Sequence, residues 1–248
     1  MILIGQGGSG KLFVVKHVVV PTLQWSFPVP AKDSKRFLVV AHSNAQANGI
    51  SCQSFRAETA HSAGCIRVQG LSNAALRPGK KINVLRQKWE RVQALITEEA
   101  YLMPASIFNM LHIRASWGRK QSCGVDMSTS QNPEQSFGYI PFCLLLGDPL
   151  QLRPRGIGLL TDLREARKQG VEIHVEQEQS IKLHKLFPEV FMLRGTKRFQ
   201  DKDLPALLDC LRASRALPPA LWSKLQRQFC STDDLEERLW QPLWLGNN

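Results

Sequence analysis

The chain lacks several things that would place it in a simple class. No apolar run approaches the roughly 20 residues a membrane-spanning helix needs. The longest candidate, Leu12 to Leu23, is interrupted by Lys16, His17 and Pro21. This excludes a helical membrane anchor in the sequence as given. The apolar start, Met1–Ile4, runs straight into glycines and does not have the form of a secretory signal. Six cysteines lie far apart with no CxxC pair, which argues against a zinc site. A chain of 248 residues needs no disulfide staple, so reduced thiols in an intracellular protein are the default expectation. Nucleus and mitochondrion are both open. Internal repeats and low-complexity tracts are absent too.

What is present is a globular composition, 43% hydrophobic and 21% charged, with a marked excess of base. Lys and Arg total 32 against 21 Asp and Glu, for a formal net charge of +11. The excess is uneven. Residues 1–150 carry 16 basic and 8 acidic groups, and residues 151–248 carry 16 and 13. A basic half points to a polyanionic partner, with nucleic acid ahead of a membrane surface. A plain solubility charge is the alternative.

Apolar, strand-like runs recur at Met1–Ile4, Arg36–Ala41, Val92–Thr97 and Pro141–Leu146. Helix-length segments separate them. Leu12–Leu23 follows the first. Leu85, Trp89 and Val92 stand at helical spacing before the third, and Ala105–Ala115 follows it. Strands apolar on both faces, alternating with helices, predict an α/β fold with a parallel sheet covered on both sides. Ser116–Gly138, rich in Ser, Gln and Gly, reads as a surface insertion. Leu204, Leu207, Leu208 and Leu211 predict an amphipathic helix with Pro205 in its first turn. A further helix starts at Pro218-Pro219, and a loose tail from Cys230 carries Trp240 and Trp244.

The sharpest local signal is Gly5-Gln6-Gly7-Gly8-Ser9-Gly10-Lys11-Leu12. It fits GxxxxGK and departs from the phosphate-loop pattern only at Leu12, where Ser or Thr is expected. Glycines let successive backbone N–H groups converge on phosphate oxygens. The following helix adds positive potential, and Lys11 reaches the outer phosphates. Gly5, Gly7, Gly8, Ser9, Gly10, Lys11 and Leu12 are thus the candidate nucleotide-binding residues. Leu12 has no donor for the magnesium ion that a hydroxyl would hold there. A second signal, Ala94–Thr97 followed by Glu98-Glu99, ends an apolar strand in adjacent carboxylates, a place where such enzymes hold magnesium and polarise water. A third, Leu144–Leu146 followed by Gly147-Asp148-Pro149-Leu150-Gln151-Leu152, is a buried strand with GDPxQL.

Taken in order and spacing, the three motifs resemble superfamily 1 DNA helicases of the Pif/RecD type. Smaller matches agree. Phe37–Ala41 with Ser43-Asn44-Ala45 looks like motif Ia, and Thr59-Ala60-His61-Ser62 is similar to the short T-x-H-S element. Tyr101 takes the place of the usual serine after the carboxylates. Leu193-Arg194-Gly195-Thr196-Lys197-Arg198-Phe199 looks like motif IV. The resemblance implies a RecA-like ATPase domain over 1–190 and the opening of a second RecA-like domain over 191–248. It implies ATP and Mg2+ as cofactors and DNA, preferentially single-stranded, as partner. Lys11 would bind phosphate, Glu98 would hold the metal and Glu99 would be the catalytic carboxylate. Gln151 would sense the γ-phosphate, and Arg198 would act as an arginine finger. Ser43, Asn44, Thr59 and His61 would face DNA. No upstream glutamine motif and no later helicase motif accompanies these, so the expectation is a fragment or a degenerate copy. Oligomeric state is not addressed by any motif.

Three groups of residues keep two readings each. His61 is a base or a structural histidine. Arg77, Lys80, Lys81, Arg86, Lys88 and Arg91 form a DNA-facing patch or a solvated face. Trp25, Trp89 and Trp117 are stacking platforms or core.

Overall fold

A computed structural model describes residues 1–27, 36–51, 55–66, 80–123, 136–151, 154–196, 203–213 and 215–228. Arg198, Leu152, the Arg77–Gly79 part of the basic stretch and the tail from Cys230 lie outside them. The chain divides into two compact units, Met1–Lys197 and Arg198–Asn248.

Among the described residues the first unit has six strands: β1 (Ile2–Gly5), β2 (Phe37–Ala41), β3 (Arg56–Thr59), β4 (Ala94–Thr97), β5 (Phe142–Gly147) and β6 (Val190–Leu193). Their order is β3-β2-β4-β5-β1-β6 and every pairing is parallel. The α/β expectation therefore holds. β3 was not legible as a strand because Arg56 and Glu58 interrupt any apolar run, and β6, a run of only four apolar residues, was absorbed in the motif IV match. Both are edges, and β6 leaves Val190, Phe191 and Met192 exposed. As a strand of this first sheet, β6 carries the first unit past residue 190.

The sheet buries both faces, as its apolar strands require. Leu38, Val40, Leu95 and Leu145 share one core with α5 (Lys80–Trp89), α6 (Ala105–Cys123) and α8 (Val175–Lys185) through Leu85, Trp89, Phe108, Leu111, Ile181 and Leu183. Val39, Ala41, Ile96, Leu144 and Leu146 share the other. Its cover comes from α1 (Lys11–Val14), α2 (Val20–Ser26) and α3 (Asn44–Ile50), through Val15, Val20, Leu23, Ala47 and Ile50. A π-helical turn, Val15–Val19, joins α1 to α2. Pro21 explains it. A proline has no N–H for the preceding turn and its ring crowds a carbonyl four residues back, so the ladder widens there. Two short helices, α4 (Ala60–Ala63) and α7 (Leu163–Lys168), complete the unit.

The insertion expected at Ser116–Gly138 is corrected at both ends. α6 continues through Ser116 to Cys123. Arg119 holds it there by donating to the carbonyls of Val92 (2.6 Å), Trp89 (3.2 Å), Gly138 (2.6 Å) and Tyr139 (3.2 Å). At the far end Phe137 is fully buried against Phe108 and His112. Polar composition concealed an element anchored by one arginine and one aromatic ring. Trp89 is core, donating Nε1–H to the Ala63 carbonyl at 2.9 Å. Trp117 lies beneath the Arg114 guanidinium, 5.2 Å from its ring centre, and Trp25 is exposed.

The second unit contains α9 (Asp203–Arg212) and α10 (Pro219–Gln228) at the expected places. The Lys224 ammonium and an Asp203 oxygen stand 2.6 Å apart.

Candidate nucleotide site

In an all-parallel sheet every strand ends on the same edge, and ligands gather there. That rule puts the predicted motifs side by side. β1 delivers the glycine loop, β4 delivers Glu98 and Glu99, and β5 delivers Asp148 and Gln151.

The loop turns through two glycines with positive φ, Gly8 at 81° and Gly10 at 89°. Gly10 caps α1, and its left-handed backbone is the conformation that a side chain disfavours. Lys11 is buried, with its ammonium donating to the Gly5 carbonyl at 2.7 Å and the Gln6 carbonyl at 3.4 Å. The cation is therefore held within the loop that would cradle phosphate. Gln151 comes over the loop: its Nε2 is 3.7 Å from the point where a Cβ on Gly7 would stand.

The carboxylates face the same lysine. Burial raises Glu98 to about 7, aided by the like charge of Glu99 and opposed by Lys11. Glu99 is also raised, by burial first and by Asp148, with Lys11 pulling the other way. Glu99 holds φ at 48°, a strained setting for a non-glycine residue that starts the Ala100–Leu102 turn. Asp148 is buried and accepts the Leu150 N–H at 3.1 Å. Tyr101 packs over Gly147, where a Cβ would meet its ring at 2.7 Å.

A set of buried polar atoms around this edge has no hydrogen-bond partner among the described residues: Gln6 Oε1, Ser9 Oγ, Thr97 Oγ1, Glu98 Oε2 and Glu99 Oε2. Buried polar atoms are ordinarily paired, so such a concentration marks a place built for something else to bind. The glycine loop and Lys11 suit an anion. For magnesium, the carboxylate half of a site is present in Glu98, whose hard oxygen suits the ion. The hydroxyl half is not, because Leu12 packs against the core of Leu3 and Val15. Among the described residues no group of three or more His, Cys, Asp or Glu side chains is placed to hold a metal.

The DNA-facing candidates lie on the same edge at its β2–β3 end. Ser43 caps α3, bonding the Gln46 N–H at 3.3 Å, with Asn44 next to it. Thr59 caps α4 by accepting the Ser62 N–H at 3.2 Å. His61 is lowered by burial and then by His42. Their backbone settings are those of helix caps, and capping accounts for Ser43 and Thr59 without a ligand. Lys88 is engaged elsewhere, 2.6 Å from Glu58 Oε2 and 2.8 Å from the Ser62 carbonyl. Gln6, Thr97 and Thr196 are site residues that lie inside the quoted motifs and were given no role there.

These features define a phosphate-loop α/β domain of the RecA type. No protein-family profile matches the chain, and no curated protein does. Solved structures do. One, on DNA unwinding at forked duplexes by two coordinating Pif1 helicases, matches at 17% identity with a TM-score of 0.58 over 91% of this chain and 46% of that one. Bacteroides sp Pif1 in complex with ADP-AlF4 matches at 18% and 0.53, over 87% and 43%. Bacteroides Pif1 bound to single-stranded DNA matches at 16% and 0.55, over 88% and 43%. The fold is accordingly like that of these Pif1 structures. The chain spans less than half the length of these neighbours.

Proposed function

We propose that this chain binds ATP on the Gly5–Lys11 loop and acts as a Pif-type DNA helicase ATPase domain. In the complete activity, hydrolysis would drive movement along DNA and its unwinding. The observation that carries the reading is the gathering of unpartnered buried oxygens on Ser9, Thr97, Glu98 and Glu99 around a buried Lys11. Neighbours of this fold have been solved with ADP-AlF4 and with single-stranded DNA, which supports nucleotide and DNA as ligands here.

The residues divide the work. Lys11 would leave its loop carbonyls to meet the outer phosphates. Gln151, poised over Gly7, would donate its amide to a phosphate oxygen. Glu98 would hold magnesium, which when bound offsets phosphate charge. Glu99 would take a proton from water on its free Oε2, a task its raised affinity for protons favours. Arg198 would supply a guanidinium to developing charge. Ser43, Asn44, Thr59 and His61 would meet the DNA backbone, and the basic balance of residues 1–150 would favour that polyanion. An intracellular setting belongs to the same proposal.

A second reading is a helicase remnant that binds nucleotide or DNA without turnover. The position of Leu12 in the core favours it. One experiment separates the two: ATPase activity with magnesium and single-stranded DNA, in wild type, Lys11→Ala and Leu12→Thr. DNA-stimulated turnover lost in Lys11→Ala establishes the first. ATP binding without turnover, with turnover appearing in Leu12→Thr, establishes the second. Absence of nucleotide binding refutes the first, and absence of both nucleotide and single-stranded DNA binding refutes both.

A further inference from the structure

The residue with the least expected position is Thr196. It follows β6, and its hydroxyl donates to the carbonyl of Gly7 at 3.3 Å, joining positions 189 residues apart. The strand before it also touches the loop. A Cβ on Gly5 would meet the Leu193 carbonyl at 3.1 Å and the Leu193 Cβ at 3.2 Å. Thus the end of β6 contacts the glycine loop at two points, Gly5 and Gly7.

The geometry of a peptide unit gives the contact a consequence. The Gly7 carbonyl and the Gly8 N–H belong to one plane and point in opposite directions. Glycine stands on both sides of that plane, so no Cβ resists its rotation. Gly8 already sits at φ 81°. Fixing the carbonyl therefore fixes the N–H, one of the donors such a loop turns toward an anion. We propose that Thr196 is a positioning residue that latches the Gly7–Gly8 peptide, presetting the Gly8 N–H for phosphate and tying the loop to the segment that leads to Arg198. Gly195, at φ 73° and with open space around its Cα, is the pivot beside the latch. A phosphate that draws the loop inward would pull on Thr196, so occupancy would be felt two residues before Arg198.

The latch rests on the phosphate-loop reading for its ligand, but its hydrogen bond exists without one. Two measurements on the full chain keep these apart. In the nucleotide-free protein, the Gly7 carbonyl carbon resonance is expected to move in Thr196→Val and to stay near wild type in Thr196→Ser. An unmoved resonance in Thr196→Val overturns the latch, whatever nucleotide does. In calorimetric titration with ADP, Thr196→Val is expected to bind about three- to tenfold more weakly, the range of one hydrogen bond. Thr196→Ser should recover most of that loss. Equal weakening in Val and Ser, or wild-type affinity in Val, overturns the presetting role. Failure of the wild type to bind ADP at all, with Lys11→Ala no different, refutes the phosphate reading and with it presetting, while the resonance still decides the bond.

Discussion

The ring of Tyr101 lies against the backbone of Gly147, so close that a Cβ on the glycine would stand 2.7 Å from Cδ2. Tyr101 occupies the slot where the motif resemblance leads one to expect a serine. Here an aromatic ring fills the space between the Glu98-Glu99 strand end and the Gly147-Asp148 strand end, and it meets His184 edge-on with ring centres 5.8 Å apart. Gly147→Ala is expected to cost about 1–3 kcal/mol through overpacking. Tyr101→Ser should remove most of that penalty in the double variant. Urea unfolding of the four proteins checks it; additive losses would mean the two residues do not share the space.

Glu98 makes the folded protein sensitive to base. Its carboxyl is raised from 4.5 to about 7, chiefly by burial. The folded state therefore holds this proton more tightly than the unfolded chain. The resulting stability is complete below about pH 4.5 and is lost as pH rises through 7. Glu98→Gln is expected to be more stable than wild type at pH 8 by about 1–3 kcal/mol, with the difference vanishing toward pH 4.5. Chemical denaturation across that range measures it. A constant difference at both ends would place the effect outside Glu98.

His112 acts with the opposite sign. It is lowered to about 4 by burial. Its Nδ1 accepts the Phe137 N–H at 2.9 Å, so protonation there would also forfeit that bond. Folding prefers the neutral ring, and the stability this supplies is present above pH 6.5 and is lost as pH falls toward 4. The loss is at most about 3 kcal/mol. His112→Gln should flatten the acid limb of the stability profile and leave the Glu98 limb in place. An unchanged acid limb would refute the assignment.

Much of the fold was legible because its logic is repetitive. Apolar runs at Phe37–Ala41 and Phe142–Gly147 bury both faces, and a chain that alternates them with helices has few other ways to close. The glycine loop was legible because its chemistry constrains adjacent positions. β6 was not, since a run of four apolar residues, Val190–Leu193, is too short to tell a strand from other structure, and as an edge it leaves Val190, Phe191 and Met192 exposed. Thr196 stood inside the motif IV match without a role for a different reason: its partner follows β1, the strand paired with β6 but remote in sequence, and local sequence carries no mark of a contact made by topology. The α6 extension was hidden by polar residues whose helix is fixed by carbonyl contacts from a single arginine.

That arginine gives a direct test. Arg119 serves the carbonyls of Trp89 and Val92 on one side and of Gly138 and Tyr139 on the other. Arg119→Ala leaves several of them without a donor and is expected to cost about 3 kcal/mol. Arg119→Lys should recover only part, because an ammonium lacks the fork that spans both sides. Hydrogen exchange at the backbone amides of 115–119 should be faster in both variants. Stability within about 0.5 kcal/mol of wild type in Arg119→Ala would remove the clamp from the account.

Leu12 sets stability against chemistry. Its half-buried side chain packs against the core that contains Leu3 and Val15, so the position serves the core that holds α1 to the sheet. Leu12→Thr gives up that contact and brings a hydroxyl to the first turn after the loop. A loss of about 1–2 kcal/mol in the nucleotide-free protein is expected, as for a partly buried aliphatic chain. The hydroxyl should do something leucine cannot: make ATP affinity depend more steeply on magnesium. Titrations with and without magnesium, in both proteins, supply the comparison. If Leu12→Thr loses stability without gaining magnesium dependence, the side chain at 12 points into the core whatever its chemistry, and the carboxylate half of the site stands alone. If it gains that dependence, the leucine is the single replacement separating this loop from a complete metal–nucleotide site.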